Sequence, residues 1–202
     1  MIIIGITGSI GMGKSTIANM LKKFNIPIFD SDEYVKKHIE NNILIKKKIM
    51  KKWPQVIITH KKEKKINKTI LGNIIFSSST EKNALEKIIH PIIKVDREDF
   101  IKKHIGKEKF VALDVPLLYE TNTDQLCNFV FLAITSEKKQ KCRVLSRKNM
   151  TEKKFYLIKQ NQLSEKEKIS RKPYLISTSY GKIVTFVIVV YYLIKIIIKQ
   201  RN

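Results

Sequence analysis

Nine consecutive residues, Gly8-Ser9-Ile10-Gly11-Met12-Gly13-Lys14-Ser15-Thr16, carry the types and spacing of a phosphate cradle. Gly8, four residues, Gly13, Lys14 and Ser15 satisfy G-x-x-x-x-G-K-[ST]. Glycines let the backbone curl so that N–H groups face phosphate oxygens at a helix N-terminus. A lysine at position 14 reaches the β- and γ-phosphates of a nucleoside triphosphate, and a hydroxyl at position 15 holds Mg²⁺. Phosphoryl transfer also needs an acceptor-side base, a metal-steering carboxylate and cations for the developing charge. Asp30-Ser31-Asp32 supplies two carboxylates that can divide the work, one taking a hydroxyl proton and one steering Mg²⁺ or water. Asp32, ahead of Glu33-Tyr34-Val35, suits a helix N-cap equally well. Asp114 ends an apolar run, as a metal-steering Asp does, although it also suits a turn before Pro116. Glu120 closes Pro116-Leu117-Leu118-Tyr119-Glu120 near the same face. Arg143 and Arg147 share one side of a predicted helix, where two guanidiniums clamp phosphates or simply face water. His90, before Pro91, is a proton carrier only if geometry makes it one.

The surrounding pattern is that of an α/β protein. Ile2-Ile3-Ile4-Gly5-Ile6 reads as a buried parallel strand, and Ile17, Met20, Leu21 and Phe24 recur at helical spacing after the glycines. So the motif lies between a strand and a helix, the context it requires. Ile26-Pro27-Ile28-Phe29, Phe110-Val111-Ala112-Leu113, the run 129–134 and Tyr174-Leu175-Ile176 read as further strands. From Glu33 to about Gly106 the chain is Lys-rich, with apolar residues three and four apart, which predicts helices and no sheet. Trp53-Pro54 and His90-Pro91 are expected to interrupt them, and Ser79 or Thr80 to cap one. The basic run 61–65 reads as a solvated loop. Residues 183–198 are apolar apart from Thr185 and Lys195, and sixteen residues fall short of the roughly 20 that span a bilayer. A buried helix or strand is the expectation, with an interfacial anchor or a changed reading frame as the alternatives.

Composition constrains the partners. Against 18 acidic residues the 202-residue chain sets 40 basic ones, for a net charge of +22. Only Arg97, Arg143, Arg147, Arg171 and Arg201 are arginines, and isoleucine is as overused as lysine. An A/T-rich genome explains that balance more simply than a nucleic-acid partner, while still leaving a surface suited to polyanions. The two cysteines, Cys127 and Cys142, form no C-x-x-C pair or zinc pattern and suit a reducing compartment. The first apolar run is too short for a signal peptide and lacks a basic flank.

Taken in order, five segments resemble the dephospho-coenzyme A kinase family: GITGSIGMGKST, IPIFDSDEYVKK, IIFSSSTEKNALEKIIHPII, ALDVPLLYE and SEKKQKCRVLSRKNMTEKKFYLIKQNQ. The resemblance covers residues 1–172 and implies a parallel-sheet phosphate-loop kinase core with a helical substrate-binding insertion and a helical lid. It implies core segments 1–31 and 109–135, a CoA-binding insertion at 32–108, a lid at 136–172 and a C-terminal segment at 173–202. The implied reaction moves the γ-phosphate of ATP, with Mg²⁺, onto the ribose 3′-hydroxyl of dephospho-CoA, the last step of CoA synthesis. Gly11, Met12, Gly13, Lys14, Ser15, Thr16, Arg143 and Arg147 are then expected to hold ATP, and Ser15 and Asp114 the metal. Asp32 matches the base, with Lys14 and Asp30 beside it in catalysis, and Lys68, His90 and Glu120 are expected on the acceptor side. Asn67-Lys68 replaces the family's frequent Asp-Arg, and Pro173 and Thr178 stand where it tends to have Asp and Asn. The expected setting is cytoplasmic, as a monomer or weak oligomer, without nucleic acid or membrane. Another small nucleoside or nucleotide kinase is the alternative, and a basic nucleic-acid- or membrane-binding protein a more distant one.

Overall fold

The computed structural model describes residues 1–60 and 63–200. In chain order the first elements are β1 (Ile2–Thr7), α1 (Lys14–Lys23), β2 (Ile28–Asp30), α2 (Ser31–Asn41) and α3 (Ile43–Lys52). Next come β3 (Ile57–His60), β4 (Glu63–Ile66), α4 (Lys68–Ser77), α5 (Ser79–His104), β5 (Phe110–Asp114) and β6 (Phe129–Ile134). The last are α6 (Glu137–Leu145), α7 (Glu152–Gln160), α8 (Glu165–Ser170), β7 (Tyr174–Ser177) and α9 (Lys182–Lys199). They fall into two compact units: Met1–Asp30 with His104–Asn202, and Ser31–Lys103.

The first unit is a parallel sheet of order β2-β5-β1-β6-β7 with helices packed on it. β1 is central and buried on both faces: on one, Ile2, Ile4 and Ile6 sink into a core cluster with Ile17 and Leu21 of α1 and Val189, Leu193 and Ile196 of α9, and on the other Gly5 lies close against Leu118 and Cys127. Register decides where the strands end. Ile6 lies opposite Asp114, and Asp114 opposite Asp30. The strand ends that carry the two aspartates therefore open at the same edge as the phosphate loop, the carboxyl edge where open α/β sheets bind ligands.

The apolar tail is a helix, α9, and it buries Thr185, Val189, Leu193 and Ile196 against the sheet. Thr185 Oγ1 satisfies its polarity within hydrogen-bond reach of Ser177 O at 3.0 Å and Gly181 O at 2.9 Å. Among the described residues, no helix is long and apolar enough to cross a membrane.

The second unit packs α3, α4 and α5 around Ile45, Ile49, Trp53, Val56 and Leu71. Asn42 caps α3 through the N–H groups of Leu44 and Ile45, and Asn67 caps α4 through those of Thr69 and Ile70. Four sequence expectations are corrected here. The region is not wholly helical, because β3 and β4 pair as an antiparallel hairpin. The β-branched run Val56-Ile57-Ile58-Thr59 prefers a pleated strand, and Ile66 facing Ile57 closes the ladder. Residues 63–65 of the basic run belong to that hairpin, while Lys61 and Lys62 lie outside the described residues. Pro91 does not end its helix. α5 runs through it, because Ile89 and Ile93 are buried on either side and tertiary packing outweighs one missing N–H. The cap of α5 is Ser78, whose Oγ accepts from Glu81 N at 3.3 Å, in place of Ser79 or Thr80.

Candidate active site

The phosphate loop leaves β1 at Gly8 and enters α1 at Lys14. Gly11 and Gly13 have φ of +78° and +94°, the left-handed region where a side chain is strained. A Cβ at Gly11 would come 2.6 Å from Val144 Cγ2, and one at Gly13 would come 2.8 Å from Thr178 Oγ1. α1 begins with no side-chain cap on Gly13 and no acidic residue in its first turn. Thr16 N bonds Gly13 O at 2.9 Å, and the N–H groups of Lys14 and Ser15 and the positive end of the dipole are thus left for an anion. Lys14 Nζ is ion-paired with Asp114 Oδ1, and Asp114 is only 3% exposed. Ser15 sits in the same first turn, exposed. Hydroxyl and carboxylate oxygens are the hard donors Mg²⁺ takes, so Ser15 and Asp114 fit that ion.

The outer side of the loop is braced residue by residue. Lys168 Nζ donates to Ser9 Oγ at 2.7 Å, and Ser9 Oγ donates to Glu165 Oε1 at 2.5 Å. Gln162 Oε1 accepts from Ile10 N at 3.0 Å, and Gln140 Nε2 donates to Ile10 O at 2.8 Å. Arg143 Nη1 reaches Gly11 O at 3.5 Å, and Thr178 Oγ1 donates to Met12 O at 2.7 Å. Arg143 also donates to Thr178 Oγ1 at 2.8 Å and to Thr178 O at 2.7 Å. Thr178, standing where an Asn is expected, is thus a buried link between the loop and Arg143. Ser9, Gln162 and Lys168 did not stand out in the sequence, and Thr178 did so only as a departure from the expected Asn. A lysine or glutamine in so polar and basic a chain carries no signal until the fold brings it to the loop.

Lys168 is fully buried. Burial pushes its ammonium pKa below the ordinary lysine value of 10.5, against the opposing pull of Glu120, Glu165 and Glu167. Its Nζ lies 3.9 Å from Glu120 Oε1. The same oxygen accepts from Leu163 N at 2.8 Å. With its folded pKa depressed, Lys168 holds fewer protons than in the unfolded chain between that pKa and 10.5. Stability therefore gains from this group as pH rises through that window. Wild type is expected to gain thermal stability relative to Lys168→Met as pH climbs from neutral to 10.5. Paired melting curves check it, and a constant or shrinking difference contradicts it.

The other expected site residues are distributed as follows. Gly11, Met12, Gly13, Lys14, Ser15, Thr16, Asp30, Asp114 and Arg143 all belong to the first unit, around the loop and the carboxyl edge. Glu120, expected beside the acceptor, is engaged with Leu163 and Lys168. α6 ends at Leu145, so Arg147 lies beyond the helix and is exposed, in contrast to the shared helix side expected of it. Its N–H instead bonds Val144 O as the helix unwinds. Asp32 is the second residue of α2, exposed, in the second unit. Lys68 pairs with Glu40, and His90 is exposed on α5. The same unit holds a pair that sequence spacing did not single out, His38 Nε2 on Asp96 Oδ2.

A loop of this build serves many kinases, so comparison with known proteins decides between them. The family model described as dephospho-CoA kinase matches residues 2–190. The chain belongs to the dephospho-CoA kinase family. A curated dephospho-CoA kinase of Bartonella henselae is 36% identical over 177 residues, spanning 87% of this chain and 88% of that one. Two solved structures share the fold. A Thermus thermophilus protein, TT1252, superposes with a TM-score of 0.81 at 23% identity, covering 96% of both chains. A dephospho-CoA kinase from Campylobacter jejuni superposes with 0.70 at 22% identity, again over 96% of both.

Proposed function

We propose that the phosphate loop of this dephospho-CoA kinase holds ATP and that Asp32 serves the ribose 3′-hydroxyl of dephospho-CoA. The reaction transfers a phosphoryl group to dephospho-CoA to give CoA, and neither a nucleoside kinase nor a nucleic-acid-binding reading is favoured. The single observation that carries the donor half is the uncapped α1 N-terminus. It is flanked by two left-handed glycines and by Lys14, with hydroxyl and carboxylate donors within the same edge. Loop N–H groups and Lys14 Nζ would neutralise the β- and γ-phosphoryl oxygens. Lys14 has a flexible stem and can exchange the Asp114 carboxylate for phosphate. Mg²⁺, held by Ser15 and Asp114, would supply a Lewis acid on the same oxygens. Asp30 ends β2 directly before Ser31 and Asp32, so a strand end fixes the start of the base-bearing segment. The test is the purified chain with MgATP, scored for CoA formed from dephospho-CoA. Nucleosides and nucleoside monophosphates as acceptors are expected to stay unphosphorylated. Turnover of those acceptors without CoA formation would overturn the reading.

Arg143 separates a loop brace from a solvated cation. Arg143→Lys keeps the charge but loses the planar fork that bonds both oxygens of Thr178. It is expected to lower kcat/KM for ATP by about tenfold, within the roughly hundredfold that misplacing a site can cost. Arg147→Lys, beyond the helix end, is expected to change it less. Steady-state kinetics with each substrate varied checks both, and equal losses would restore the paired clamp.

A further inference from the structure

The outward side of α9 has no role in the site described. Val184, Val187, Tyr191, Ile194 and Ile198 are exposed by 41%, 60%, 58%, 52% and 55%. Their spacing is three, four, three and four, so they form one stripe along the helix, about 21 Å long at ~1.5 Å per residue. Ile183, 82% exposed, widens it at the N-terminal end. Phe186 stacks on Phe24 at 5.5 Å, which carries the patch onto the end of α1, and both rings remain exposed. Contiguous apolar surface of this kind on a soluble chain marks something that covers it.

Charge says what covers it. Residues 1–29 contain no Asp or Glu, and neither do residues 168–202. α1 and α9 are therefore free of acidic side chains along their whole lengths. The cations stand at the rim: Lys22 and Lys23 beside Phe24, and Lys182, Lys195 and Lys199 on α9, all exposed. Lys195 Nζ and Lys199 Nζ lie 5.8 and 5.9 Å from the ring centroids of Tyr174 and Phe129. An apolar stripe with a lysine rim is the pattern of a helix lying in the plane of an anionic membrane. Tyr191 suits that boundary, with an apolar ring and a polar tip. A second copy of this chain would set one cationic rim against another with no carboxylate between them. Nucleic acid would meet the lysines but leave the stripe in water.

We infer that the outward ridge of α9 docks on a bilayer surface with anionic headgroups, lying on it without crossing. The inference is independent of the kinase reaction, so its failure leaves that reading untouched. The test uses the full chain and sedimentation with vesicles of phosphatidylglycerol and phosphatidylcholine, against phosphatidylcholine alone. Expected is binding to the anionic vesicles, at least about tenfold weaker to neutral ones. It should be lost in about 1 M salt, where the screening length falls to ~3 Å. Val187→Ser with Ile194→Ser is expected to abolish sedimentation while leaving CoA formation in solution unchanged, which shows that the variant folds. Lys195→Glu with Lys199→Glu is expected to weaken binding without touching the stripe. Undiminished binding of the serine variant, or no binding to anionic vesicles, overturns the inference. A concentration-dependent dimer that the serine variant dissolves would assign the ridge to a second copy and overturn it equally.

Discussion

Lys14→Ala is expected to lower turnover by about a hundredfold, close to 3 kcal/mol of transition-state stabilisation, the scale of one preorganised donor lost from a charged transition state. The loss should appear in kcat more than in KM, because negative charge moves on the transferring phosphoryl group as it leaves ATP. The structure adds a second effect. Lys14 Nζ neutralises Asp114, which is 3% exposed at the end of β5. Removing the lysine leaves that carboxylate buried without its ammonium, a costly state. A lower melting temperature at neutral pH should therefore accompany the kinetic loss. Lys14→Arg separates the two, since it keeps a cation for Asp114 but alters the reach and shape of the group. It is expected to recover the melting temperature and little of the turnover. Turnover near wild type in a folded Lys14→Ala would place the donor site elsewhere.

The Asp32→Asn variant should lose about 10²- to 10⁴-fold in kcat under saturating MgATP, the range typical for a general base. Asparagine keeps the size of aspartate and one acceptor oxygen but cannot take the proton of the 3′-hydroxyl. The loss should fall equally on kcat and kcat/KM, and ATP binding measured separately should barely change. Asp30→Asn is the control that gives the experiment its meaning. Asp30 lies in register with Asp114 on the neighbouring strand, which suits a carboxylate that steers metal or water. A loose transition state makes the proton leave late, so position can matter as much as basicity. Retention of more than about a tenth of wild-type turnover in Asp32→Asn contradicts the base assignment, being a smaller loss than any in that range. If Asp30→Asn is then the crippled variant, the two roles exchange.

Nine adjacent residues, a strand before them and a helix after them, made the donor site legible in the sequence, because every determinant of a phosphate loop is local. Positive φ at Gly11 and Gly13, and a helix start at Lys14, follow from residue type and spacing within one turn. The parallel strands were legible for a similar reason, since burial on both faces forces short β-branched runs. The aspartates at their ends were visible as the polar residues that stop such runs. The pairing of β3 with β4 was not, because strands of four residues, one of them half lysine, resemble helix as readily as sheet. The passage of α5 through Pro91 was decided by tertiary packing: Ile89 and Ile93 are buried on either side of it, and Ile88 and Ile92 pack against the core that α3 and α4 share. Tertiary structure alone placed the brace on the loop. Gln140, Arg143, Gln162, Lys168 and Thr178 are more than a hundred residues from the loop residues they hold, Ser9, Ile10, Gly11 and Met12. Each is chosen by long-range hydrogen bonds to individual atoms, which leave no periodicity for a sequence to display. The same holds for α9: its sequence is apolar on nearly every side, and only packing against β7 and α1 divided it into a buried face and an open one.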